Sequence, residues 1–257
     1  MRDRGSTPAR LPRVKGVVLA GGIGSRLDPL TRVTNKHLLP VSDRPMIQFS
    51  IELLASAGID RILVVTGGKD AERFPSILGD GTGLGTCIEY IRQDHPAGIA
   101  DALRLAETFV AEDSVCLVLG DNIFERSIRE SADRFRAQRQ GARVLLAEVD
   151  RPESYGVATL DGDRVVRIDE KPISPASRHA VTGCYFYDRT VFEIARNLTP
   201  SERGEYEITD VNNAYIAQGI LCFDFVEGYW IDCGESLDAY LRAQNLVATR
   251  GANRSTH

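Results

Sequence analysis

Apolar residues fall in two rhythms along this chain. Short runs at 14–20 (VKGVVLA), 61–66 (RILVVT) and 114–119 (SVCLVL) read as buried strands, and 86–92 (TCIEYIR) alternates like one. Between them lie stretches of helical spacing. One covers 46–57, closed by Gly58 as a C-terminal stop, and a shorter one covers 72–78. A third covers 99–110, where Ile99, Ala102, Leu103, Ala106 and Val110 share a face, and a fourth covers 124–138. Strand and helix alternating in this way predict an α/β fold, a mostly parallel twisted sheet with helices on both faces.

Past about residue 150 the rhythm changes. Segments 156–160 and 164–169 flank Asp161-Gly162, a hairpin turn signal. Further strands are expected at 181–187, 221–226 and 228–232, with helices near 211–218 and over 236–248. This antiparallel character predicts a smaller lobe built onto the first. The expectation is one domain over 14–250, with halves of about 14–150 and 151–250, between flexible tails at 1–13 and 251–257.

Composition narrows the class. The 257 residues are 43% apolar with a net charge of −5, as in a soluble globular protein, and mild acidity speaks against a nucleic-acid groove. The five cysteines (Cys87, Cys116, Cys184, Cys222, Cys233) form no CxxC, so neither a zinc site nor a disulfide framework is expected. No apolar run approaches the roughly 20 residues of a membrane span. No apolar signal segment follows the basic start, so the cytosol is the expected setting.

Chemistry concentrates in residues 16–41, GVVLAGGIGSRLDPLTRVTNKHLLPV. A buried run (Leu19, Ala20) breaks at Gly21, Gly22 and Gly24, with Ser25, Arg26 and Lys36 beyond. Glycines let backbone approach a ligand closely, and their N–H groups can face phosphate oxygens. The spacing fits neither a Walker A loop nor a G-x-G-x-x-G dinucleotide fingerprint, since Leu27 stands at the third glycine's place. Asp121, after VCLVLG, and Asp232, in GYWIDCG, each read, taken alone, more readily as turn formers or helix caps than as ligands. Together they would suit a Mg²⁺ pair.

The strings GGxGSRLxPLT and NKHLLPV resemble the sugar nucleotidyltransferases, and among them the glucose-1-phosphate thymidylyltransferases, over about residues 15–247. The resemblance implies a Rossmann-like nucleotidyltransferase fold with an antiparallel sugar-binding lobe. It also implies that Leu19 to Gly22 and Gly24 to Arg26 wrap a nucleoside triphosphate whose phosphates Arg26 and Lys36 hold. Asp121 and Asp232 match its Mg²⁺ ligands, with Cys233 replacing a commoner threonine. Gln93, Pro96 and Gly98 match a segment that contacts the base. Ile99 and Asp101 depart from that pattern, and Asp101 is expected to face outward.

Tyr155, Gly156, Glu170, Lys171, Thr182, Gly183, Tyr185 and Arg203 match positions around the sugar phosphate. Glu205, Glu207 and Asp210 are expected to serve helix entry and structural hydrogen bonds, Trp230 the core, and His95 a loop. The reaction implied is Mg²⁺-dependent transfer of a nucleotidyl group from dTTP to glucose 1-phosphate, with Arg26, Lys36, Asp121 and Lys171 catalytic. It implies no nucleic-acid or membrane partner, and a homo-oligomer. Longer members carry extra C-terminal helices, so an effector site is expected to be absent or altered. The motifs leave open UTP or CTP, another sugar 1-phosphate, or a non-catalytic nucleotide-sugar-binding regulatory subunit. The missing third glycine speaks against an NAD-dependent enzyme.

Overall fold

A computed structural model describes residues 13–22 and 24–255. All but the last residue of the expected N-terminal tail thus lies outside the described residues. In chain order the elements are β1 (Val14–Ala20), β2 (Pro40–Val41), β3 (Arg44–Pro45), α1 (Met46–Ser56), β4 (Arg61–Gly67), α2 (Phe74–Leu78) and β5 (Cys87–Gln93). Then come α3 (Ile99–Arg104), α4 (Glu107–Val110), β6 (Ser114–Leu119), β7 (Asn122–Phe124), α5 (Arg129–Gln138) and β8 (Ala142–Glu148). The remainder are β9 (Gly156–Asp161), β10 (Arg164–Glu170), β11 (His179–Tyr187), α6 (Val191–Arg196), α7 (Ile208–Ala217), β12 (Leu221–Phe225), β13 (Trp230–Asp232) and α8 (Leu237–Arg250).

The expected parallel sheet is present as β5, β4, β1 and β6, all parallel to one another. The side chains of β1, β4 and β6 are largely buried on both faces, which is why those runs are continuously apolar, while the edge strand β5 alternates. Val17 and Leu19 point to one layer with α3, α4, α6 and α7; Val18 and Ala20 point to the other with α1, α2 and α5. The antiparallel part begins at β11, which pairs with β6, β8 and β9, and β9 makes the expected hairpin with β10. A third apolar cluster sets α8 against Met46, Phe49 and Ile231.

One irregularity makes room for a site. Residues 184–187 of β11 pair with β6, but Ala180 pairs with Val157 of β9. Between these, at Val181–Gly183, the edge of β11 has no strand beside it. The Asn122 side chain fills the gap, its Oδ1 accepting from the Gly183 N–H at 2.9 Å. A Cβ on Gly183 would stand 2.6 Å from that oxygen, so any larger residue here would displace the Asn122 side chain.

Four expectations need correction. The helix expected over 124–138 starts at Arg129, because residues 122–124 pair with β13 as a strand. The helix expected over 99–110 is two, interrupted at Leu105-Ala106. Residues 251–255 are not a loose tail: the Asn253 and Arg254 amides donate to the Phe124 and Glu125 carbonyls, and the buried Glu125 carboxylate pairs with Arg250 and Arg254. Finally, β8 was not expected, although it is central to the antiparallel part. Its Arg143 breaks the apolar run and is neutralised by Asp224 of β12 at 2.7 Å.

Candidate active site

A cavity of about 250 Å³ opens at the carboxyl ends of β1 and β6, beside the gap in β11. Open α/β sheets bind ligands at this end of their strands. Charged side chains reach it from both parts of the fold: Arg26, Lys36, Asp121 and Asp232 on one wall, Glu170, Lys171 and Arg203 on the other.

The first wall is shaped by backbone. Beyond Ala20 the chain turns through Gly22 (φ 96°) and Gly24 (φ 69°), conformations that L side chains rarely adopt. A Cβ on Gly24 would press into Thr31 and Lys36, so glycine here also lets the loop close on the lysine. A single 3-10 turn, Ser25–Leu27, follows, and the fully buried Leu27 pins it. Leu19, Gly21 and Arg26 line the cavity; the buried Ala20 and the loop residues Gly22, Gly24 and Ser25 do not. Arg26 is exposed and makes no ion pair among the described residues.

Lys36 reaches Asp121 at 2.5 Å, with both side chains largely buried. Burial opposes ionisation of Asp121, but the Lys36 charge and the hydrogen bonds from Lys36 and the Asn122 amide outweigh it and hold its carboxyl well below the usual range. Lys36 is likewise held above its ordinary value, burial notwithstanding, by Asp121 and Asp232. Asp232 is pushed up to about 7 by burial and by the neighbouring Asp121 charge. Asn35 sets the lysine's place. Its amide donates to the Gly67 and Lys69 carbonyls at 3.0 and 3.1 Å, and its Oδ1 accepts from the His37 amide. His37 is pushed down to about 3 by burial and by Lys36, so it is neutral at physiological pH.

The second wall is a side-chain network. Glu170, at the end of β10, accepts from Thr209 Oγ1 at 2.5 Å and from Arg203 at 3.2 Å. Arg203 also meets both oxygens of Glu207, at 2.8 and 2.9 Å, and lies 3.6 Å from Glu205. Lys171 follows in a left-handed conformation (φ 43°), its amide donating to the Tyr155 carbonyl. Gly156, Gly183 and Tyr185 line the space, and Tyr155 meets Trp230 edge-on at 5.2 Å.

Some expected positions are elsewhere. Thr182 is fully buried between Val181 and Gly183, which both face the cavity. Strand alternation turns its hydroxyl away, and that hydroxyl has no hydrogen-bond partner. Gln93, Pro96 and Gly98 do not line the cavity. Gln93 adjoins it through Gly21, where a Cβ would stand 3.3 Å from the glutamine Oε1. Gly98 (φ 103°) is packed against the Tyr206 backbone, which bonds to Ala97 and Ala100. Asp101 was expected to face outward, yet it accepts from Gln93 Nε2 at 2.8 Å. Trp230 packs against the second apolar cluster, as expected, and also lines the cavity, as do Glu205 and Glu207.

Asn122 and Asn35 had drawn no expectation. Asn122 touches three parts of the site: it donates to Asp121 at 3.0 Å and accepts from Gly183 and from Trp230 Nε1, the latter at 2.7 Å. Both asparagines adjoin a charged residue in sequence (N-K and D-N), the one local signal they offer.

Asp121 and Asp232 both line the cavity, and a pair of carboxylates there could hold a divalent cation. No cluster of three or more His, Cys, Asp or Glu with metal-binding arrangement occurs among the described residues. Such a cation would therefore need substrate or water oxygens to complete its shell, the usual habit of Mg²⁺. No helix among the described residues is long and apolar enough to cross a membrane.

The family description "nucleotidyl transferase" matches residues 15–250. Over 225 residues the chain is 45% identical to glucose-1-phosphate thymidylyltransferase of Neisseria meningitidis, covering 86% of this chain and 78% of that one. It is 43% identical over 240 residues to the Mycobacterium tuberculosis protein of the same name, covering 92% and 83%. A solved Bacillus anthracis structure, assigned as a glucose-1-phosphate thymidylyltransferase in complex with a sucrose, superposes with a TM-score of 0.88 at 45% identity over 92% of this chain and 96% of that one. UDP-glucose pyrophosphorylase complexed with UDP-glucose, 24% identical, shares the fold at a TM-score of 0.80 over 92% and 98%.

Proposed function

The chain belongs to the nucleotidyl transferase family, and on that premise we propose that it transfers a thymidylyl group from dTTP to glucose 1-phosphate. A sugar-phosphate oxygen forms a bond to the α-phosphorus as the bond from that phosphorus to the bridging β-phosphate oxygen breaks. The products are dTDP-glucose and pyrophosphate. The observation that carries this reading is the gathering of four cations around one cavity: Arg26 and Lys36 with Asp121, and Lys171 and Arg203 with Glu170.

Two polyanions must approach each other, so the main task is neutralising and aligning charge. The attacking phosphate is already ionised at neutral pH, and no general base is required. The one histidine lining the cavity, His37, is neutral and bonded to Asn35, which suits that economy. Arg26 and Lys36 act on the triphosphate, Lys171 and Arg203 on the sugar phosphate. Glu170 and the Gly156 backbone face the sugar hydroxyls, and Gln93 faces the base. Asp121 and Asp232 would hold Mg²⁺, which when bound supplies further neutralisation of phosphate charge. The same reading carries a cytosolic setting and assembly as a homo-oligomer, which light scattering on the purified protein tests.

The direct test offers glucose 1-phosphate and Mg²⁺ with dTTP, UTP, CTP, ATP or GTP separately and measures pyrophosphate release. Release chiefly with dTTP is expected. Release chiefly with another nucleotide would move the base assignment, and no release with any sugar 1-phosphate would overturn the catalytic reading.

A further inference from the structure

Gln93 ends β5 with its amide against the glycine loop. A glutamine amide has nearly the same outline either way round; only its partners decide whether the oxygen or the NH₂ faces a ligand. Here the partner is Asp101, whose carboxylate can only accept. Gln93 Nε2 donates to Asp101 Oδ2 at 2.8 Å, which turns Oε1 toward Gly21. Asp101 is itself held in place. Its Oδ1 lies 3.7 Å from the Arg104 guanidinium. Arg104 in turn donates from Nε to the Ala195 carbonyl at 2.9 Å and stacks 4.0 Å over the Tyr206 ring. The amide's orientation is thus fixed from α6 inward.

We propose that Asp101 is a specificity-determining positioning residue: by fixing the Gln93 amide it presents an acceptor, and no donor, to the base. An acceptor there matches the ring N–H of thymine or uracil. It opposes cytosine, whose corresponding ring nitrogen is itself an acceptor and would leave two lone pairs facing each other. The inference rests on the reading above that Gln93 meets the base.

The test compares kcat/KM for dTTP and dCTP, with glucose 1-phosphate saturating, in wild type, Asp101→Asn, Asp101→Glu and Gln93→Ala. Asparagine can donate as well as accept, so the Gln93 amide becomes free to turn over. The dTTP-to-dCTP ratio is expected to fall by about 10-fold, the worth of roughly one hydrogen bond. Most of the change should lie in KM for the nucleotide, with KM for glucose 1-phosphate within about twofold of wild type. Asp101→Glu, still acceptor-only, should retain most of the discrimination, a rescue that loosened packing would not produce. Arg104→Gln, one step further back, should lower the ratio in the same direction and serves if Asp101→Asn does not fold. A wild-type ratio in folded Asp101→Asn overturns the proposal. If instead Gln93→Ala leaves both ratio and nucleotide KM unchanged, Gln93 does not meet the base, and that reading fails with it.

Discussion

The two walls of the cavity are built by different means. On the nucleotide wall, backbone does the positioning: positive-φ glycines, a 3-10 turn pinned by Leu27, and Asn35 bonded to carbonyls at the end of β4. The charged tips there are either unpaired, as Arg26 is among the described residues, or joined in one buried pair, Lys36 with Asp121. On the sugar wall, side chains position side chains. Glu170 is shared by Thr209 and Arg203, and Arg203 by Glu170, Glu205 and Glu207. Groups placed by backbone can lose a side-chain tip without loosening their neighbours, so substitution there should report on chemistry. Groups placed by a network move together, so substitution there should report on binding.

The largest expected effect tests the first half of that contrast. Arg26→Ala should lower turnover by on the order of 10²-fold or more, as for loss of an electrostatic stabiliser. Its unfolding midpoint should stay near wild type, because an exposed, unpaired side chain contributes little to stability. Unchanged pyrophosphate release from the folded variant would remove Arg26 from the mechanism. Next comes the seam between the walls. Asn122→Ala leaves the Gly183 amide and the Trp230 indole N–H without their acceptor. A stability loss of about 2–3 kcal/mol in urea unfolding is expected, with KM raised for both substrates. An effect confined to one substrate would mean the seam does not couple the walls.

Glu207→Gln probes the network. It replaces the two-oxygen grip on Arg203 by a single acceptor and should raise KM for glucose 1-phosphate about 10-fold, with KM for dTTP within about twofold. A selective fall in kcat would show that Arg203 reports on chemistry after all, erasing the difference between the walls. The smallest effect is expected at Thr182→Val. Removing a buried hydroxyl that has no partner should change stability by less than about 1 kcal/mol and leave KM for glucose 1-phosphate alone. A raised KM would return Thr182 to the sugar site.

What the sequence disclosed follows the same division. The glycine loop, Arg26, Lys36, the strand-end Asp121 and the parallel strands were legible because each is a local pattern: an apolar run, its break, and a charge at the break. The hairpin around Asp161-Gly162 was legible for the same reason. What went unseen depends on distant partners. Strand β7 exists because of β13, about a hundred residues on, and without it 124–128 reads as the start of a helix. Strand β8 hides Arg143 by pairing it with Asp224. The inward turn of Asp101 is set by Gln93, eight residues earlier on another element, where an acidic residue early in a helix would otherwise be read as solvent-facing. Thr182 was misplaced because a motif gives neighbours in sequence, while strand alternation sends Val181 and Gly183 to one face and Thr182 to the other.

The central claim is that the two walls receive different substrates. Steady-state KM for each substrate in Arg26→Ala and Arg203→Ala tests it most directly. The account predicts that Arg203→Ala raises KM for glucose 1-phosphate by about 10-fold or more while KM for dTTP stays within about twofold, and that Arg26→Ala spares glucose 1-phosphate in the same way. If either variant weakens both substrates alike, or each weakens the substrate assigned to the opposite wall, the division is wrong.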